Sequence, residues 1–175
     1  MDVEKTPRSG PAKEMLLSFL QQNRAVVLWK TQGVSDELAR QSPFASDTSI
    51  IGLLSHLEVV ETGWFREVFA GHEIDYLAEF GYDFDADHDA EWHLDGTETL
   101  AEAKAMYAAA VQAANVVIEG AELDQMSVRE RGDDRFSLRW CIVHMIEETA
   151  RHAGHLDVLV EHLSQKTGYL PPLDA

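Results

Sequence analysis

The sequence predicts an all-α protein, a four-helix bundle with one long connection between its second and third helices. Three observations favour this fold. Four long segments carry apolar residues at mixed three- and four-residue spacings, the period of a helix with one buried face. No segment shows the alternation of apolar and polar residues that is typical of a β-strand. The length of 175 residues suits one domain better than two.

The first helix is expected from Ala12 to about Thr31, and Gly33 follows it as a stop signal. Ahead of this helix, residues 1–11 are largely polar and include two prolines, so we expect a flexible leader. We therefore assign residues 12–170 to one helical domain.

The second helix is expected to start at Asp47 or Thr48 and to close at Gly71. Residues 72–95 then become acidic and aromatic without a sustained period, which predicts a long excursion with one short helix in it. Connections of this length often cover a functional site.

The third helix should begin after a capping threonine, Thr97 or Thr99, and end at Gly120. A polar connection leads to Ser137, which is expected to cap a fourth helix that runs to about His162. We expect the large aromatic side chains of these helices to lie in the core: Trp29, Trp64, Phe65 and Trp140.

The composition excludes several classes of protein. The formal charge is −17, from 31 acidic against 14 basic residues, and would repel the phosphates of nucleic acids. No apolar run is long enough to cross a membrane, and the N-terminal residues lack the apolar stretch of a secretory signal. We therefore expect a cytoplasmic protein with no nucleic acid and no membrane as partner.

Cys141 is the only cysteine, which excludes an internal disulfide and any zinc site built on two thiolates of one chain. A metal site in this chain would need histidine and carboxylate ligands. Cys141 itself is expected to be buried rather than to act as a thiol at the site.

Chemistry is concentrated on the fourth helix. His144, Glu148 and His152 follow one another at four-residue spacing, so their side chains share one stripe, and His155 follows three residues later. On the second helix, His56 lies at the edge of a strongly apolar stripe. If these helices face each other, three side chains would supply metal ligands: His56, Glu148 and His152. Ordinary hydrogen-bonded or solvated histidines remain the alternative interpretation.

Two segments also carry a resemblance to a known family. They are TSIIGLLSHLEVVETGWF at residues 48–65 and FSLRWCIVHMIEETARHAGH at residues 136–155. The chain resembles the DinB/YfiT-like superfamily over nearly its whole length, and most closely an actinobacterial branch that includes proteins labelled mini-circle protein. The resemblance implies a four-helix bundle that holds a divalent metal.

In that superfamily, one histidine of the second helix and two ligands of the last helix usually hold the metal. By resemblance, His56 takes the first role and His152 the last. The position four residues before His152 is Glu148 rather than the commoner histidine, which is similar to mycothiol-dependent maleylpyruvate isomerase and its His-Glu-His zinc site. Zinc is therefore the expected ion, with nickel as the alternative.

The resemblance implies a thiol-dependent S-transferase or isomerase that takes a low-molecular-weight thiol and an electrophilic substrate. His155 or His144 would then move protons, and Arg151 would meet an anionic group if it points inward. The alternatives are a non-catalytic metal-binding or stress-response protein, with His144 as a fourth ligand, and a metal-dependent hydrolase. A homodimer through the apolar faces of the first and third helices is a further possibility.

Overall fold

The structure is a computed structural model that describes residues 6–93 and 95–168. Parts of the expected leader and the expected domain end at residue 170 lie outside the described residues. Within them the chain is all-helical, as predicted, with two isolated β-bridges and no β-strand. The helical elements are α1 Ala12–Lys30, α2 Asp36–Ala39, α3 Ile50–Glu61, a π-helical segment Thr62–Phe69, α4 Tyr76–Phe80, α5 Leu100–Glu119 and α6 Leu138–Ser164.

Side-chain caps start three of the long helices. The hydroxyl of Ser49 accepts from the backbone N–H of Gly52, so Ser49 caps α3 in place of the expected Asp47 or Thr48. Thr99 and Glu102 form a reciprocal capping box at the start of α5, and Ser137 caps α6 as predicted. Each such cap pairs a backbone N–H that the helix itself leaves free.

A π-helical segment continues α3 without a break, where the apolar pattern predicted one regular helix to Gly71. The wider turn is visible only in the backbone hydrogen bonds, such as that from Ala70 N–H to the carbonyl of Phe65, five residues earlier. Wide turns of this kind are frequent at functional sites. Here the segment contributes Trp64 and Glu67 to the pocket described below.

Buried apolar side chains of α1, α3, α5 and α6 form one cluster, and those of the π-helical segment form a second with α1, α5 and α6. Helix α1 lies along α6, and α3 lies along α5. A fully buried ion pair also ties α1 to α3, because Nε of Arg24 donates to Oε1 of Glu61 at 2.6 Å. Asn115 of α5 accepts from the same guanidinium at 2.9 Å, so three helices meet at one polar point inside the core.

The two connections that flank the pocket are ordered by local contacts. The excursion after the π-helical segment contains one short helix, α4, as predicted. In the connection before α6, Val128 N–H donates to the carbonyl of Phe69 and Arg129 N–H to that of Val68. Gly71 has φ +79°, and a Cβ there would lie 2.5 Å from Val128, so only glycine fits where the connection approaches.

The prediction that Trp140 lies in the core is wrong, since 43% of it is exposed. It is the outer member of an aromatic cluster, with ring centroids 4.5 Å from Phe136 and 5.0 Å from Trp64. Trp64 and Phe65 are buried as expected. Cys141 is buried as expected too, and burial raises the pKa of its thiol to about 12. Within the described residues, no helix is both long and apolar enough to cross a membrane.

Candidate metal centre and its groove

Two antiparallel helical stretches bring the predicted ligands together. His56 of α3 lies against Glu148 and His152 of α6, whereas Trp64, two turns later, lies against His144. The four-residue spacing on α6 stacks Glu148 and His152 on one face, but their meeting with His56 depends on how the helices pack.

One carboxylate oxygen is the meeting point of the cluster. Nε2 of His152 lies 3.0 Å from Oε1 of Glu148, and Nε2 of His56 lies 3.4 Å from the same atom. One ligand atom from each of the three residues lies within 4.8 Å of the other two. Two imidazole nitrogens and a carboxylate oxygen at this separation could hold a divalent transition-metal ion.

Burial keeps His152 in the form that a metal needs. Burial, reinforced by the nearby His56, lowers the pKa of His152 to about 4, so its ring is neutral at pH 7 and one ring nitrogen carries a lone pair. Burial by itself raises the pKa of Glu148, but His152, His56 and Arg151 together outweigh burial and hold that pKa below its usual range. The cluster therefore offers an ionised carboxylate beside a neutral imidazole.

The far ring nitrogens of both histidines also have partners. Nδ1 of His56 lies 3.2 Å from Oε1 of Glu91, and in the tautomer with its proton on Nδ1 the ring donates to that carboxylate. In that tautomer, Nε2 of His56 presents a lone pair toward Oε1 of Glu148. A cation between these two atoms would be attracted to both of them. Nδ1 of His152 lies 3.4 Å from Nδ1 of His155, so one of these rings donates to the other.

Glu91 is a site residue that sequence reasoning missed. It is 7% exposed, and within the described chain its Oε2 has no hydrogen-bond partner. Its neighbour Trp92 stacks on the His56 ring with centroids 4.6 Å apart. The sequence predicts that the excursion 72–95 covers a site, but this segment holds nine acidic residues and no pattern singles out one of them.

A second buried carboxyl lies on α3, two residues after His56, and is not one of the three clustered ligands. Glu58 is 2% exposed, and the hydroxyl of Tyr82 donates to its Oε2 at 3.2 Å. Burial raises the pKa of Glu58 to about 7, against which the Tyr82 hydrogen bond is the smaller effect. Glu58 therefore links α3 to the excursion through Tyr82.

The other predicted site residues occupy different places. His144 is half-buried in the pocket wall, stacked on Trp140 with centroids 5.0 Å apart, and burial lowers its pKa. His155 is exposed and contacts His152. Arg151 donates to Oε2 of Glu148 at 3.0 Å and also pairs with Glu147. Neither His155 nor Arg151 is among the described residues that line the pocket.

The pocket, which we call the groove, has a volume of about 850 Å³. It runs along the face of α3 and the π-helical segment from His56 to Glu67, with α6 opposite. The excursion and the connection before α6 supply its remaining walls, including Tyr76, Phe84 and Arg131. His56 and Glu148 line one end, so a metal held by the cluster would face this space.

The helical packing and the cluster together define the class of protein. It is an all-α protein with a His-Glu-His cluster, of the kind that binds a metal ion, at the end of an open groove. The sequence model of the mycothiol-S-transferase family matches residues 15–165. The chain belongs to the mycothiol-S-transferase family, which agrees with the resemblance found in its sequence. A comparison with curated proteins found no match.

Proposed function

We propose that this chain is a metal-dependent S-transferase that joins a low-molecular-weight thiol of the mycothiol type to an electrophilic substrate. The observation that carries the proposal is the convergence of His56, Glu148 and His152 at the end of the groove, in a member of a thiol-transferase family. A thiol-dependent isomerase would use the same groups.

The ion would be held by Nε2 of His56, Oε1 of Glu148 and Nε2 of His152, and we expect zinc, with nickel as the alternative. Such an ion supplies the positive charge that keeps a bound thiol ionised at neutral pH, and the thiolate is the reactive form. Three protein ligands leave coordination positions free, which is the arrangement of catalytic rather than structural zinc sites.

The surrounding residues receive roles from their contacts. Glu91 and His155 hold the rings of His56 and His152 from behind, as hydrogen-bond partners of metal-binding histidines do. Arg151 binds the second oxygen of Glu148 and so fixes that carboxylate, instead of meeting an anionic substrate. His144 is the proton carrier, because it lines the groove and its lowered pKa leaves it able to accept a proton at pH 7.

Metal content tests the ligand assignment. We expect about one zinc or nickel ion per chain in the untagged protein by plasma mass spectrometry, and almost none in His56→Ala, Glu148→Ala or His152→Ala. Glu147→Ala is the matched control, because Glu147 is the exposed neighbour of Glu148 and lies outside the cluster. Absence of metal after dialysis against zinc would overturn the proposal.

Thiol binding and turnover test the reaction. The metal-loaded protein should bind the thiol and transfer it to an electrophile, and the metal-free variants should do neither. Bound metal without any thiol effect would favour the non-catalytic alternative. Hydrolysis of a simple ester without added thiol would favour the metal-dependent hydrolase.

The setting of the protein is part of the same proposal. We propose that it works in the cytoplasm on small molecules and without nucleic acid, in keeping with its acidic composition. Homodimer formation is tested by analytical ultracentrifugation, which would show a mass near twice the 19.6 kDa of one chain.

A further inference from the structure

The groove is polarised along its length. The cluster with His56 and Glu148 lies at one end. Trp64 and Glu67 follow on the same helical face, and eight residues of helix place Trp64 about 12 Å from His56 along the axis. Arg131 lies over the Trp64 ring at 4.7 Å from its centroid. A substrate that spans this distance would meet the metal ligands with one end and Arg131 with the other.

The acidic side chains that line the groove already have partners. Glu67 accepts from the Tyr76 hydroxyl at 3.1 Å and lies 3.7 Å from the guanidinium of Arg129. Glu130 pairs with Arg135 at 3.4 Å. At the other end, Glu148 pairs with Arg151, and one oxygen of Glu91 is hydrogen-bonded to His56.

Arg131 is the arginine of the groove that takes no part in these ion pairs. It forms no ion pair with any carboxylate in residues 6–93 and 95–168, although the chain has 31 acidic residues. Its backbone is held in place, because its N–H donates to the carbonyl of Asp134 across a tight turn. The turn requires Gly132, whose φ is +68°.

A guanidinium that lies over an aromatic ring can still bind a carboxylate through its N–H edge with two parallel hydrogen bonds. The partly buried Phe84 ring in the same groove offers apolar surface to the rest of such a ligand, whereas Trp64 is 6% exposed and supports the guanidinium from beneath. The charge pairing leaves no second free cation among the described lining residues, since Arg129 is engaged by Glu67.

We propose that Arg131 anchors the carboxylate of an anionic aromatic electrophile, so that the transferase prefers carboxylate-bearing acceptors over uncharged ones. The role of the bound molecule as an acceptor rests on the proposed function, whereas the carboxylate-binding site itself does not. A carboxylate at Arg131 would point the remainder of the molecule along the groove toward His144 and the cluster.

Binding of a simple probe tests this directly. We expect 2-naphthoate to bind the metal-loaded protein about tenfold more tightly than the uncharged 2-naphthamide, by titration calorimetry. Arg131→Gln should abolish this preference and Arg131→Lys should keep part of it. Arg139→Gln is the matched control, because it removes one positive charge from an exposed ion pair with Asp124 that lies outside the groove.

Equal binding of naphthoate and naphthamide to the wild type, or a preference that survives Arg131→Gln, would overturn the inference. Metal content and circular dichroism of each variant are measured on the same samples, so a loss of fold or metal is seen separately. If naphthoate binds through Arg131 but no thiol transfer occurs, the proposed function fails and the anion site stands. If thiol transfer occurs with no carboxylate preference, the inference about Arg131 fails and the proposed function stands.

Discussion

Glu91 determines which nitrogen His56 can offer. Its contact with Nδ1 favours the tautomer that carries the proton there and the lone pair at Nε2, the atom that faces Glu148. Trp92 holds the same ring by stacking. Glu91 and Trp92 of the excursion therefore orient the His56 side chain of α3. The candidate metal centre depends on the excursion as well as on α3.

Removal of Glu91 should weaken the centre without unfolding the chain. We expect Glu91→Ala to lower zinc affinity about 10- to 100-fold, since the His56 ring loses its orienting partner. Competition titration against a chromophoric chelator measures this affinity. Asp87→Ala is the control on the same excursion, because Asp87 pairs with the exposed His93. Equal affinities of Glu91→Ala and the wild type would contradict the assigned role.

His144 should set the acid side of the rate profile. Its neutral ring accepts a proton above its pKa, and burial lowers that pKa, so kcat/KM should stay high below the usual histidine value of about 6.5 before it falls. His144→Gln should lower kcat and remove this acid limb while one metal ion per chain remains. An unchanged limb in His144→Gln would assign the proton transfer to another group.

At the scale of elements, the buried pair Arg24 and Glu61 joins α1 to α3, one residue before the π-helical segment begins. A buried ion pair is weak evidence for net stability, but the loss of one partner leaves an uncompensated charge in the core. The pair therefore also favours one packing of α1 on α3, on the helix that carries His56.

Arg24→Met should destabilise the fold by about 3–5 kcal/mol, because Glu61 would remain buried without a cation. Urea unfolding measures the change. The double variant Arg24→Met/Glu61→Leu should recover much of the loss, since neither charge remains. Arg139→Met breaks an exposed pair and should cost less than about 1 kcal/mol. A small effect of Arg24→Met alone would show that water or another group reaches Glu61.

At the scale of the whole molecule, the metal should brace the helices that supply its ligands. Any ion that binds only the folded chain stabilises it, by about 2.7 kcal/mol at a concentration one hundred times Kd. The cluster links α3 to α6, and α6 also packs along α1, so this stabilisation would be felt across the fold.

Metal removal should therefore lower the thermal midpoint. For a chain of this size we expect a chelator to lower Tm by about 5–10 °C, and added zinc to restore it. Differential scanning calorimetry makes the comparison. In His56→Ala, neither the chelator nor added zinc should change Tm. If Tm of this variant responds as the wild type does, the stabilising ion binds elsewhere.

Local chemistry explains why so much of the architecture could be predicted. The caps at Thr99 and Ser137 act within three residues, and the four-residue spacing of Glu148 and His152 fixes one helical face wherever the helix lies. For the same reason the sequence could name His56, Glu148 and His152 as a ligand set, with the family resemblance to support it.

Other features depend on distant contacts and left no local pattern. Trp140 looked like a core residue because its helix is amphipathic, yet packing leaves it at the outer edge of an aromatic cluster. The π-helical segment has the composition of an ordinary helix.

The sequence alone determined the helices, the side chains that share each helical face, and the type of metal chemistry they allow. Only the tertiary structure decided that Glu91 supports His56, that His144 lines the groove while Arg151 binds Glu148, and that Arg131 lies over Trp64. The reason is physical, because periodicity and caps are set by neighbours along the chain, whereas these contacts arise from the packing of separate segments.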